Sequence, residues 1–215
     1  MAISFVNINN NGAFANTITL GSIVVGNLIV LWARFFGLSS APTLTDSQGN
    51  SFTLGVDFQN GSSRCCMWYC LAATATSAGI SFSAVGSFPE MLIEQWNTST
   101  GTWSWGGSPV TGIGTQSSPT WNSGAKTVSV GDLVFGLFEN ESTNGITFST
   151  SGSWTYRGDS QGNVTITDRV AASTSETPAL GSNTTVTGNA GTATINFSVV
   201  APPSSNARTH VQIIG

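Results

Sequence analysis

Apolar runs in this chain are short, rich in Val, Ile, Thr and Phe, and closed by Gly, Asn, Asp or Ser. That pattern belongs to strands and turns rather than to helices. It predicts strands over 3–8, 28–36, 51–57, 64–71, 79–84, 91–96, 126–130, 132–139, 146–150, 163–170, 184–187 and 192–200, with no helix. Many short strands separated by polar turns predict an all-β chain, a two-sheet antiparallel sandwich of jelly-roll type. The most apolar stretch, Ile18 to Leu38, is interrupted by Ser22, Gly26, Asn27 and Arg34 and splits into two strand-length pieces. A spanning helix requires about 20 nearly unbroken apolar residues, so no membrane span is expected.

The pattern also repeats. Asp46-Ser-Gln-Gly-Asn50 recurs as Asp159-Ser-Gln-Gly-Asn163, and each copy precedes a strand. Upstream lie Val25-Gly-Asn-Leu-Ile-Val30 and Val130-Gly-Asp-Leu-Val-Phe135. Downstream come Arg64 and Arg169, then Leu71-Ala-Ala-Thr and Val170-Ala-Ala-Ser. Two copies of one multi-strand unit, at about 22–96 and 127–200, are therefore expected. Neither copy buries its apolar face alone, so the two should pack together as a single domain over 1–215. Asn97 to Gly124, rich in Gly, Ser, Thr and Pro, then reads as the long loop between them.

The order Gly26-Asn-Leu-Ile-Val30, Thr45-Asp-Ser-Gln-Gly-Asn-Ser-Phe-Thr-Leu54, Val130-Gly-Asp-Leu-Val134 and Ser153-Trp-Thr-Tyr-Arg-Gly158 resembles an uncharacterised β-sandwich family of bacterial extracellular and phage-associated proteins. The likeness covers most of the chain. It implies a fold, and brings no assigned active site with it.

Composition narrows the setting. Of the 215 residues 40% are hydrophobic, enough for a folded core, yet only 7% are charged, against about a quarter in ordinary domains. Lys126 is the single lysine and His210 the single histidine. Ser, Thr, Asn, Gln and Gly must then cover the surface, a coat with few protease sites that suits a virion or extracellular location. The start Met1-Ala-Ile-Ser-Phe lacks the basic and apolar regions of a secretory signal, so a mature form or release by lysis is expected. A net charge of −4 without any basic cluster argues against nucleic acid. Scarce charge also removes the usual guards of sheet edges, which favours homo-oligomers.

Chemistry is sparse, and no cofactor is implied. Cys65, Cys66 and Cys70 sit too tightly on one strand to bridge one another, and read as buried thiols. The Asp46 and Asp159 loops carry oxygen ligands suited to calcium but few carboxylates, and a turn capped by Asp and reversed by Gly accounts for each. Glu90 and Glu94 invite comparison with jelly-roll glycoside hydrolases, whose two carboxylates stand about 5–9 Å apart. Four residues along one strand is about 13 Å, so a partner would have to come from Asp132, Glu139, Glu141, Asp159, Asp168 or Glu176. With His210 five residues from the end and no Gly-x-Ser-x-Gly elbow, a nucleophilic triad is not expected. Trp96, Trp103, Trp105 and Trp121 are the candidate ligand-binding residues. Core packing and an exposed glycan- or partner-binding face are both open for them.

Overall fold

The computed structural model describes residues 2–12, 14–83, 86–141 and 146–202. All regular structure among them is β. The first half runs β1 (Ile3–Asn10), β2 (Thr17–Leu20), β3 (Leu28–Phe36), β4 (Leu44–Asp46), β5 (Thr53–Asn60), β6 (Ser63–Cys70), β7 (Ala78–Phe82) and β8 (Ser87–Thr98). After β9 (Thr102–Trp105) come β10 (Val110–Gln116), β11 (Thr120–Asn122), β12 (Lys126–Thr127), β13 (Leu133–Asn140) and β14 (Phe148–Ser149). The chain finishes with β15 (Thr155–Ser160), β16 (Val164–Val170), β17 (Ser175–Glu176), β18 (Ala179–Ser182) and β19 (Val186–Val200).

The strands build two large antiparallel sheets, β1-β8-β3-β6-β5 and β10-β19-β13-β16-β15, with β9 added beside β19. These face each other across the main core, where Leu28, Val30, Trp32, Met67 and Trp96 meet Leu133, Phe135, Ile166, Ile195 and Phe197. Each large sheet is covered on its other face by a three-stranded sheet. β2-β7-β4 packs Ile18, Leu20 and Ile80 on Ile29, Leu31, Phe35 and Trp68. β11-β18-β14 packs Trp121, Phe148 and Leu180 on Phe138. The result is four layers rather than two. Double coverage explains why β3 reads Leu-Ile-Val-Leu-Trp-Ala-Arg-Phe-Phe without polar alternation, since both of its faces are buried.

The two halves share one strand order. In the first, 1-8-3-6-5 stands over 2-7-4; in the second, β10, β19, β13, β16 and β15 take the same places over β11, β18 and β14. Matched turns start the equivalent strands β3 and β13. Asn27 N–H donates to the Val24 carbonyl and Asp132 N–H to the Ser129 carbonyl, with Gly26 and Gly131 at φ 91° and 94°. These are type II turns whose third position requires the left-handed backbone that glycine tolerates. Ala73 and Ala171 then bond the two turns in the same way.

Other expected correspondences fail. The first Asp-Ser-Gln-Gly-Asn joins β4 to β5, whereas the second closes the β15–β16 hairpin, whose counterpart is Asn60 to Ser63. The pentapeptide recurs because it makes a good turn, not because of its place in the fold. Arg64 pairs with Phe35 near the end of β3, and Arg169 with Val134 near the start of β13, so these arginines sit at opposite ends of equivalent strands. The matched order also begins at β1 and β10, earlier than 22 and 127. Residues 97–124 are a loop only in part, because they contain β9, β10 and β11. Gly-rich alternation in Val110-Thr-Gly-Ile-Gly-Thr-Gln116 makes an edge strand that composition alone reads as linker.

Candidate functional site

Half of the charged residues lie inside. Of ten acidic residues, Glu90, Glu94, Asp132, Glu139, Asp168 and Glu176 are buried, as are Arg34 and Lys126. Two clusters sit between the large sheets, and each sets two carboxyl groups around one arginine.

The first cluster gathers Arg34 of β3, Glu90 of β8 and Glu139 of β13. Arg34 Nε lies 3.4 Å from Glu90 Oε2, its Nη1 lies 3.4 Å from Glu139 Oε1, and Nη1 also donates to the Asn140 carbonyl. Asn163 Nδ2 donates to Glu90 Oε1 at 2.9 Å, and Asn60 Nδ2 donates to Glu139 Oε2. Burial pushes the Glu139 carboxyl up to about 7 against the pull of Asn60 and Arg34. Burial raises Glu90 as well, with Arg34 opposing. One guanidinium does not neutralise two carboxylates in a dry interior, so the pair keeps a proton near neutrality. Above the cluster, Phe14, Phe36 and Phe88 wall a cavity of about 270 Å³ that reaches Arg34 and Glu90. Phe14 and Phe88 meet edge to face at 5.2 Å, both in left-handed backbone at φ 56° and 52°.

The second cluster lies further along the same interface. Arg157 of β15 grips Asp168 of β16 with Nε at 2.8 Å and Nη2 at 3.0 Å, while its guanidinium stacks over Phe5 at 4.3 Å and Trp96 at 5.4 Å. Trp96 Nε1 donates to Glu94 Oε2 at 3.0 Å. Burial first, and then the charge of Asp168, push the Glu94 carboxyl up to about 8. Asp168 is raised by burial too, against the opposing pull of Arg157.

Glu90 and Glu94 therefore do share one face of β8, as strand geometry requires, but each belongs to a different arginine. Glu139 is the partner that tertiary structure gives to Glu90. Neither carboxyl exposes any surface, and neither does Glu139. Glu94 and Glu139 are enclosed by protein, whereas Glu90 borders the cavity walled by Phe14, Phe36 and Phe88. Through Arg34 and Asn163, Glu90 and Glu139 tie the two large sheets together.

The candidate tryptophans are mostly core. Trp96 packs edge to face on Phe5 and Phe135, Trp103 is buried in the main core, and Trp121 is fully buried against Phe148. Only Trp105 keeps partial exposure, stacked on Tyr69 at 4.8 Å and 11°. The two tryptophans of β9 do share one face, and that face is the inner one. As a set these four rings present no open platform to a glycan.

The Asp46 carboxylate accepts the N–H of Gln48, Asn50 and Gly79, and Asp159 accepts the N–H of Gly162, so each caps its own turn. Among the described residues no group of three or more His, Cys, Asp or Glu is placed to hold a metal. Cys65, Cys66 and Cys70 are buried free thiols; burial raises each, Cys65 most clearly, with Glu139 adding to it. His210 lies outside the described residues. Sequence reading missed Arg34, Arg157, Phe14 and Phe88. Arg34 had a signal, a lone cation inside an apolar run, which was read only as a break in a membrane span. No family model, no curated protein and no solved structure matches this chain.

Proposed function

We propose that this chain is a non-enzymatic structural or adhesive subunit of a virion or extracellular assembly, built from a duplicated jelly roll. The observation that carries the reading is the strand order 1-8-3-6-5 opposite 2-7-4, present in both halves. Eight strands in two facing sheets follow the double-sheet plan used by viral capsid and lectin domains, with β5 here at the edge of the larger sheet. Packing the two larger sheets face to face gives one rigid block with few free core faces. The resemblance to extracellular and phage-associated sandwiches agrees with this setting, at the level of analogy.

Charge placement supports the same reading. Carboxyls turned inward leave an outer coat of neutral polar side chains, which repels a second copy weakly and offers little to trypsin-like proteases. Enclosure of Glu94 and Glu139, which leaves Glu90 without a second accessible carboxyl beside it, weighs against hydrolysis. The test is the solution mass of the purified chain at micromolar concentration, by size exclusion with light scattering, in reducing and oxidising buffer. A defined oligomer that ignores reductant is the expected result. A monomer that binds a polysaccharide panel would replace this reading with a carbohydrate-binding module.

A further inference from the structure

The free edges of the two large sheets differ sharply in how they are protected. A strand edge presents a row of N–H and C=O groups that only water or another strand satisfies, and proteins blunt such edges with charge, proline or bulges. In the first sheet the edges are β1 and β5; in the second they are β15 and the side formed by β9 and β10. β5 carries Asp57, held by Arg64, and a bulge between Leu54 and Val56. β15 carries Arg157 and Asp159, and a bulge between Tyr156 and Gly158. β1 is bulged between Phe5 and Asn7, and its Asn7 and Asn9 side chains donate to the Gly21 and Thr19 carbonyls beside β2.

β10 carries neither charge nor proline in its seven residues, Val-Thr-Gly-Ile-Gly-Thr-Gln, and its bulge lies at its far end, between Gly114 and Gln116, leaving the pairing with β19 regular from Val110 to Gly114. Thr111, Ile113 and Thr115 form an exposed row of β-branched side chains, with Ile113 54% exposed. Gly112 and Gly114 alternate with them and put no side chain on the opposite face. Such a strand is suited to pairing and ill suited to solitary exposure.

We propose that β10 is the self-association edge: Val110–Gly114 of one copy pairs antiparallel with the same segment of a second copy, joining their six-stranded sheets into one continuous sheet. The inference rests on the assembly reading above and names its surface. A two-fold axis at Gly112 centres the regular stretch and sets Thr111 of each copy opposite Ile113 of the other. The contact is isologous, so every unsatisfied group on one copy meets its complement on the other. A second copy is the occupant because it supplies the matching uncharged strand, and the neutral coat adds no repulsion.

The test is sedimentation velocity of the full chain across a concentration series for wild type, Ile113→Lys, Thr111→Lys and, on the guarded β5 edge, Thr53→Lys. Both β10 substitutions place two cations on one face of the seam, diagonal to each other across the axis, so each should weaken the dimer roughly a hundredfold with circular dichroism unchanged. Thr53→Lys should retain the wild-type mass. If both β10 variants keep the wild-type oligomer, the β10 assignment is overturned while the assembly reading survives. If wild type is monomeric throughout the series, both fall.

Discussion

Glu94 makes the stability of this protein fall as pH rises through the neutral range. Its carboxyl is fully buried beside Asp168, with Trp96 Nε1 as its hydrogen-bond donor, and stands at about 8 against an ordinary 4.5. A raised folded-state value means that the native chain holds a proton which the unfolded chain has released. Stability from this group is complete below about 4.5, declines as pH rises, and is lost once pH passes about 8. Each pH unit in that window costs up to ~1.4 kcal/mol, so the whole window costs at most about 5 kcal/mol. That is a large share of the 5–15 kcal/mol that holds ordinary domains together. Glu139, at about 7, adds a loss of the same sign ending about one pH unit earlier. Glu94→Gln keeps an oxygen for Trp96 Nε1 and carries no proton to lose. Urea unfolding at pH 5 and pH 8 and constant ionic strength reads the difference. Wild type should lose more than 1 M in midpoint, for a slope of about 2 kcal/mol/M, and the variant should lose distinctly less because only the other raised carboxyls, Glu139, Glu90 and Asp168, remain. Equal losses in the two proteins would refute the assignment of a buried protonated carboxyl to Glu94.

Further outcomes follow from the same geometry. Arg34→Met strands Glu90 and Glu139 without their cation and should cost about 3–5 kcal/mol in urea unfolding at pH 7, less at pH 5 where Glu139 holds its proton. Trp121→Ala empties a fully buried site and should cost about 3–5 kcal/mol, whereas Trp105→Ala, half-buried at the edge of the core, should cost clearly less. Gly131→Ala meets open space but must keep φ 94°, for a loss of about 1–2 kcal/mol. Gly86→Ala drives a Cβ into the Phe36 carbonyl oxygen at φ 59° and should destabilise more, as thermal unfolding would show. The three buried thiols should resist a thiol reagent at pH 8 in the native protein and react together once urea unfolds it.

Strands with both a dense apolar pattern and clear turn residues were legible from the sequence, notably β3, β6, β8, β13, β16 and β19. The all-β class followed from them. Short strands such as β2, β4, β11 and β18 were not legible, because three or four residues carry too little pattern to separate strand from loop. β10 hid behind its glycines. Likeness between the halves was legible in the matched turns at Val25-Gly-Asn and Val130-Gly-Asp, where a positive-φ position restricts residue choice. It was misleading at Asp-Ser-Gln-Gly-Asn, where one turn chemistry serves two unrelated places.

Local physics therefore determined the elements: β-branched and aromatic residues prefer pleated, half-buried backbone, and Gly, Asn and Asp reverse it. Layering, and the pairing of strands not joined by a hairpin, were decided elsewhere, by contacts between residues tens to about a hundred positions apart. Arg34 finds Glu139 and Asn140 only when the two large sheets face each other, and Trp103 becomes core rather than a binding face only when β9 joins β19. Burial of a charge or a ring depends on what covers it, and covering is a property of the assembled layers, which no window of sequence contains.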